Sequence, residues 1–162
     1  VVLILMGVSG TGKSTVGKIL AGELGWDFVE GDDFHPPANV EKMKHDIPLT
    51  DADRAPWLEA LRERIKAACA ANENVILACS ALKRSYQDLL EEDAPECVEY
   101  VYLHGSPELL RRRLEARENH FADAGLLASQ LATLEPPADA VRVEVTPPPE
   151  EIAATIRRAL RL

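Results

Sequence analysis

The chain has 162 residues and a formal net charge of −9, long enough for one domain with a real core and too short for two comfortable ones. The acidic balance argues against a general nucleic-acid or anionic-membrane surface. No apolar run approaches the roughly 20 residues that span a bilayer, and the first such run leads into a glycine loop, so it does not read as a signal peptide.

That first run, Val1 to Met6, is apolar and β-branched, as a buried parallel strand should be. Gly7-Val8-Ser9-Gly10-Thr11-Gly12-Lys13-Ser14 follows and fits the phosphate-loop pattern G-x-x-x-x-G-K-[ST] at every fixed position. Val16, Ile19, Leu20 and Leu24 then recur at helical spacing. A second short strand is expected at Asp27 to Glu30, ended by Gly31, with a polar turn at Asp32 to Pro37 and a short charged segment around Val40 to Lys44. Asp51-Ala52-Asp53-Arg54 marks a helix start, with Pro56 tolerated near its beginning. Leu58, Leu61, Ile65 and Ala68 give that helix one buried face as far as about Asn72. A third strand is expected at Val75 to Cys79, a turn and helix from Ser80 to Glu92, and a fourth strand at Val98 to Leu103. Ser106-Pro107-Glu108 starts another helix, with serine as cap and an acid facing the dipole. A polar stretch from Glu118 leads to a helix through Leu134, closed by Pro136-Pro137. Val141 to Val145 is the fifth strand, and Ile152, Ile156 and Leu160 give a final amphipathic helix. Strands alternate with helices throughout, which calls for a parallel sheet covered on both faces in a single domain, 1–162.

The three cysteines, Cys69, Cys79 and Cys97, are odd in number and lack C-x-x-C spacing. Neither a disulfide framework nor a zinc site is therefore expected, and a reducing cytoplasm is the natural compartment.

In open α/β sheets the ligand crevice lies outside the carboxyl ends of the strands, so the residues after each strand are the candidates. The phosphate loop, Gly7 to Ser14 with Thr15, turns backbone N–H groups toward one point and can cradle the phosphates of ATP. Lys13 reaches the β- and γ-phosphates, and Ser14 puts its hydroxyl on a magnesium ion. Asp32, after the second strand, is the acid expected to take or orient the proton of an acceptor hydroxyl. No aspartate ends the third strand, so Asp32 is also a candidate magnesium ligand. His35 could bind a substrate hydroxyl or cap the turn, and Asp33 reads mainly as a turn residue. At about 100° per residue, Arg113 and Arg117 fall within the arc of Leu109, Leu110 and Leu114, whereas Arg111 and Arg112 fall outside it. Arginines on a covered face need an anionic partner, which nucleotide phosphates could supply. The segment 119–135 is placed to act as a lid that excludes water, or is an ordinary crossover helix in which Leu126, Leu127 and Leu131 pack.

Several blocks resemble the small phosphate-loop gluconokinases, relatives of shikimate kinase and the nucleoside monophosphate kinases. They are Met6 to Ser14, Gly31-Asp32 with His35-Pro36 and Asn39 to Met43, Pro48 to Asp51 with Asp53-Arg54, Pro56-Trp57-Leu58, Cys79 to Arg84 with Tyr86, and Arg117, His120-Phe121, Gln130 and Thr133 to Pro136. The resemblance implies a P-loop NTPase fold with strand order 2-3-1-4-5 and a helical lid. It also implies magnesium- and ATP-dependent phosphorylation of D-gluconate in a dimeric cytoplasmic enzyme. Arg54, Lys83 and Arg84 would hold the carboxylate of gluconate, Asp32 and His35 its hydroxyls, with His120 and Gln130 also on the substrate and Arg117 at the reacting phosphate. Shikimate kinases carry an Asp-x-Asp pair after the second strand and a glycine triplet after the third, where this chain has Asp32-Asp33 and Ser80-Ala81-Leu82. A kinase of another small hydroxylated acid such as shikimate, and a non-catalytic nucleotide switch, are the alternatives.

Overall fold

The computed structural model describes residues 1–116 and 124–162. Five parallel strands, β1 (Val2–Met6), β2 (Asp27–Glu30), β3 (Val75–Ala78), β4 (Val98–His104) and β5 (Val141–Glu144), form one sheet in the order β2-β3-β1-β4-β5. The helices are α1 (Lys13–Leu24), α2 (Pro37–Lys44), α3 (Asp51–Ala70), α4 (Arg84–Glu91), α5 (Pro107–Glu115), α6 (Ala124–Thr133) and α7 (Pro149–Leu160), with 3₁₀ turns at Gly31–Phe34 and Pro95–Cys97. The central β1 pairs with β3 on one side and β4 on the other, Ile4 lying opposite Leu77 and Tyr100.

All five residues of β1 are buried because both faces of the sheet are covered. Successive side chains point to opposite faces. Leu3 and Leu5 join Val16, Leu20, Ile152 and Ile156 of α1 and α7. Val2, Ile4 and Met6 join Leu58, Leu61 and Ile65 of α3. Each fully buried Leu or Ile contributes about 1.5–3 kcal/mol, so the two layers clamp β1 and fix where the loop that follows it emerges.

Local chemistry explains the helix starts nearest the site. Thr50 caps α3 by accepting from the N–H of Asp53, and the Asp53 carboxylate accepts from the N–H of Thr50, a reciprocal pair that satisfies two N-terminal donors. Pro56 lies inside α3 on its exposed side, where it removes one backbone bond without ending the helix. Ser106 caps α5 by accepting from Leu109 N–H, as the sequence predicts.

The cysteine reading is corrected by the fold. Cys69 and Cys97 form a disulfide with a Cα–Cα distance of 6.1 Å. It joins the last turn of α3 to the 3₁₀ turn that leads into β4, and only Cys79 is free. The two residues are 28 positions apart, so no short spacing announced the pair; packing of α3 on the sheet brings them together. Among the described residues no helix is long and apolar enough to cross a membrane.

Candidate active site

Because all strands run the same way, β1, β2 and β3 end on one rim, and a cleft of about 390 Å³ opens there. Its floor is the phosphate loop. Gly7 has φ 151°, and a Cβ on it would lie 2.5 Å from the carbonyl oxygen of Leu103 at the end of β4, so only glycine lets the chain turn here. Thr11 is fully buried and donates to the Val8 carbonyl at 3.0 Å, which braces the loop from below. Gly12 brings no side-chain cap to α1. The first N–H groups of α1 and its positive dipole end are thereby presented to an anion.

Of the residues assigned to ATP, Ser9, Gly10, Gly12, Lys13, Ser14 and Thr15 line the cleft, while Gly7, Val8 and Thr11 are buried beneath it. The Lys13 ammonium donates to the carbonyl oxygens of Gly7 at 2.9 Å and Val8 at 3.0 Å, which keeps the charge at the loop's mouth.

Arg113 lies on the covered side of α5, as its position in the arc predicts, where main-chain carbonyls meet it. Its guanidinium donates to the Val145 carbonyl and reaches that of Gly10 at 3.5 Å. It does not line the cleft; it ties the loop to the chain just beyond β5 from behind. Arg117 and His120 lie outside the described residues, as does the first part of the segment 119–135. The described remainder of that segment is anchored. Leu127 of α6 is buried with Leu110 and Leu114, Glu135 N–H donates to Leu82 O at 2.7 Å, and Gln130 accepts from the N–H of Ser9 at 2.7 Å.

Glu30, the last residue of β2, carries a role that sequence reasoning missed. It lines the cleft, and its carboxylate accepts a short hydrogen bond from the Ser14 hydroxyl. Between it and Asp32 lies Gly31, where a Cβ would come within 2.5 Å of the Ala78 carbonyl oxygen. The tight contact draws the end of β2 against β3 and sets both carboxylates on the rim. The signal available is the spacing Glu30-x-Asp32, masked in the sequence by the adjacent pair Asp32-Asp33. Ser14, Glu30 and Asp32 together offer only oxygen donors, the set a hard divalent cation takes. Among the described residues no group of three or more His, Cys, Asp and Glu side chains could hold a metal alone.

Asp32 and His35 meet in the cleft as expected, with His35 Nε2 4.0 Å from Asp32 Oδ1. The Asp32 side chain is 75% exposed and that of His35 only 4%. The imidazole stacks on Trp57, with ring centroids 4.3 Å apart and 13° between planes, and Trp57 donates through Nε1 to Gly31 O at 2.8 Å. Burial pushes the His35 pKa below its ordinary value, with Arg54 adding to the effect and Asp32 opposing it.

Of the three cations assigned to the acceptor carboxylate, only Arg54 lines the cleft. Its guanidinium donates to the Tyr86 hydroxyl at 3.0 Å. The Lys83 ammonium donates to the Asp51 carboxylate at 2.9 and 3.2 Å and is not among the residues lining the cleft. Arg84 is exposed in the first turn of α4 beside Asp88. Met43, Ile47, Pro48 and Leu49 form an apolar lip that periodicity did not reveal.

A family described as AAA domain matches residues 2–137. The chain is 54% identical to the gluconokinase of Gluconobacter oxydans over 138 residues, covering 85% of this chain and 76% of that protein. It is 40% identical to the thermoresistant gluconokinase of Escherichia coli, covering 95% and 90%. A gluconokinase structure from Sinorhizobium meliloti superposes with a TM-score of 0.85 at 45% identity, covering 98% of this chain and 94% of that one. Shikimate kinase from Aquifex aeolicus shares the fold at a TM-score of 0.60 and 20% identity, covering 99% and 96%. With a phosphate loop, an acid rim and a sheet in this order, the chain belongs to the gluconokinase family of P-loop small-molecule kinases.

Proposed function

We propose that the chain transfers the γ-phosphoryl group of ATP to the terminal hydroxyl of D-gluconate, giving 6-phospho-D-gluconate and ADP. The observation that carries the reading is that one cleft joins the phosphate loop to an acid, a buried imidazole and an arginine. A polyol carboxylate needs those partners. The phosphate-loop amides and Lys13 hold the triphosphate. Arg54 pairs with the gluconate carboxylate, while Asp32 and His35 face its far hydroxyl. The hydroxyl oxygen forms a bond to the γ-phosphorus as the bond from that phosphorus to the β,γ-bridging oxygen breaks. The hydroxyl proton passes to the Asp32 carboxylate, and ADP departs with the bond's electron pair. Magnesium, held by Ser14 with Glu30 and Asp32 nearby, supplies charge neutralisation on the β- and γ-phosphates when bound.

We assign Arg117 to the phosphates, His120 to the acceptor and the segment 119–135 to a lid, a reading supported by the docking of Gln130 on the phosphate loop and of Glu135 on Leu82. From the family resemblance the enzyme is a cytoplasmic homodimer. In a reducing compartment Cys69 and Cys97 would stand as adjacent thiols.

The test is ADP release coupled to product identification across a panel of sugar acids, with shikimate included. Turnover with gluconate and formation of its 6-phosphate is expected. Turnover confined to another acid would replace the substrate, and ATP binding without transfer to any of them would favour the nucleotide-switch reading.

A further inference from the structure

The segment Asn39 to Met43 is absorbed into the site only through what it touches. Asn39, on α2, is 3% exposed. Its amide nitrogen donates to the main-chain carbonyl of Asp53 at 2.7 Å and lies 3.2 Å from Nδ1 of His35. A carbonyl oxygen can only accept, so the atom facing it must be the NH₂ of Asn39. The same NH₂ therefore presents its second hydrogen to Nδ1. That nitrogen must offer a lone pair, and the proton of the neutral ring must sit on Nε2.

We propose that Asn39 is a positioning residue that locks His35 in the Nε2–H tautomer, so that a hydrogen-bond donor faces Asp32 across the acceptor's place in the cleft. The 4.0 Å between Nε2 and Asp32 Oδ1 is too long for a hydrogen bond. A hydroxyl oxygen about 2.8 Å from each fits between them, accepting from Nε2–H and donating to the carboxylate. The other tautomer would put a lone pair at Nε2 and compete with Asp32 for the hydroxyl proton.

The support for Asn39 is built from several elements. The Asp53 carbonyl that receives it belongs to the first turn of α3, held by the Thr50 pair and by Lys42, which donates to the Asp53 carboxylate at 2.8 Å. Trp57 holds the other coordinate by stacking on the ring. Charged groups facing His35 are Asp32 from the 3₁₀ turn and Arg54 from α3, with the Lys42–Asp53 pair one bond behind Asn39.

The inference rests on the reading of the cleft as a gluconate site, and its test separates the two. Nitrogen-15 chemical shifts of the imidazoles in the intact protein, with the His35 signal identified by its loss in His35→Gln, report the tautomer without turnover. The Nε2–H form is expected for His35. Finding the Nδ1–H form would overturn the proposal whatever the enzyme phosphorylates. Asn39→Asp places an acceptor opposite Nδ1 and is expected to move the proton there. Asn39→Ala is expected to give a mixture of tautomers. Both are expected to lower kcat with gluconate about tenfold, the size of one lost hydrogen bond, while KM for ATP stays near wild type. A wild-type tautomer or an unchanged kcat in a folded Asn39 variant would refute the positioning role. Absence of gluconate turnover in the wild type, with the Nε2–H tautomer present, would sink the substrate and leave the tautomer lock standing.

Discussion

The hydroxyl of Ser14, first turn of α1, donates to the carboxylate of Glu30, last residue of β2. The contact links the phosphate loop to the acid rim, and these two side chains would help hold the magnesium ion of the proposed reaction. Glu30→Gln keeps the size and a hydrogen-bond partner for Ser14 but removes the charge. The apparent magnesium affinity in turnover assays is expected to fall about 10–100-fold, the usual cost of losing a supporting carboxylate. A magnesium titration indistinguishable from wild type would assign Glu30 to structure alone.

The proposed function assigns Lys13 to the β- and γ-phosphates and Asp32 to the acceptor hydroxyl. Lys13→Ala is expected to lower kcat by about 10²–10³ through loss of charge stabilisation. Asp32→Asn is expected to lower kcat by about 10²–10⁴ with little change in KM for ATP. Steady-state kinetics with each substrate varied will separate these effects. Near-normal turnover in either variant would mean that another group carries the role.

Arg54 reaches the cleft from α3 while its guanidinium rests on the Tyr86 hydroxyl, which in turn donates to Asp51. Arg54→Ala is expected to raise KM for gluconate by about tenfold or more. Tyr86→Phe removes both hydrogen bonds of that hydroxyl, of which only the one from Arg54 bears on the cleft, and should raise it roughly fivefold. Arg84→Ala, exposed and outside the cleft, is expected to leave both KM values unchanged. An Arg84 effect as large as that of Arg54 would contradict this division.

The Cys69–Cys97 link closes a loop across 28 positions. A chain-entropy account gives it about 3–4 kcal/mol. Reduction should therefore lower Tm by about 10 °C in a domain of this size. Burial pushes the Cys79 thiol up to about 12, so the native oxidised protein should show no reactive thiol. Denaturation without reductant should expose one, and three should appear after reduction. Three thiols in the unreduced denatured protein would show that the link does not form in solution.

Acid should loosen the start of α3. The hydrogen bond from Lys42, with those from Thr50, holds the Asp53 carboxyl at about 2, against about 3.9 for an unfolded aspartate. A carboxyl depressed on folding contributes stability that is full above about pH 4 and drains away as pH falls toward 2. His35 acts in the same sense at higher pH: its lowered value makes the folded state bind its proton less readily, so stability declines as pH falls below about 6.5. Thermal melts of Asp53→Asn and His35→Gln, compared with wild type from pH 8 to 3, should each flatten their own part of the slope. Parallel curves would refute the assignment.

What could be read along the chain was whatever depends on neighbours within a few positions. The apolar run of β1, the loop Gly7 to Ser14, the serine cap on α5 and the covered side of that helix are local patterns, and each has a physical cause within one turn or one strand. The five strands with their helices, and the order they take, follow from strict alternation and the family resemblance. Asp32 and His35 are legible as candidates because they lie in the turn after β2, and both line the cleft.

The remaining features are products of packing between distant segments. Nothing in the local sequence announces that α3 brings Asp51 to Lys83 or that Arg84 lies beside Asp88 on the exposed side of α4. Arg113 lay on the expected face but found main-chain carbonyls there. Glu30 looked like the end of a strand until α1 set Ser14 against it, and Asn39 looked like one polar residue in a charged helix. The residue types and their spacing determined that a triphosphate and an acid-bearing rim would meet. Which cation lines the cleft, which carboxylate meets the phosphate-loop serine and which cysteines join were decided by tertiary structure, because hydrogen bonds and side-chain packing act across a few ångströms of space irrespective of separation along the chain.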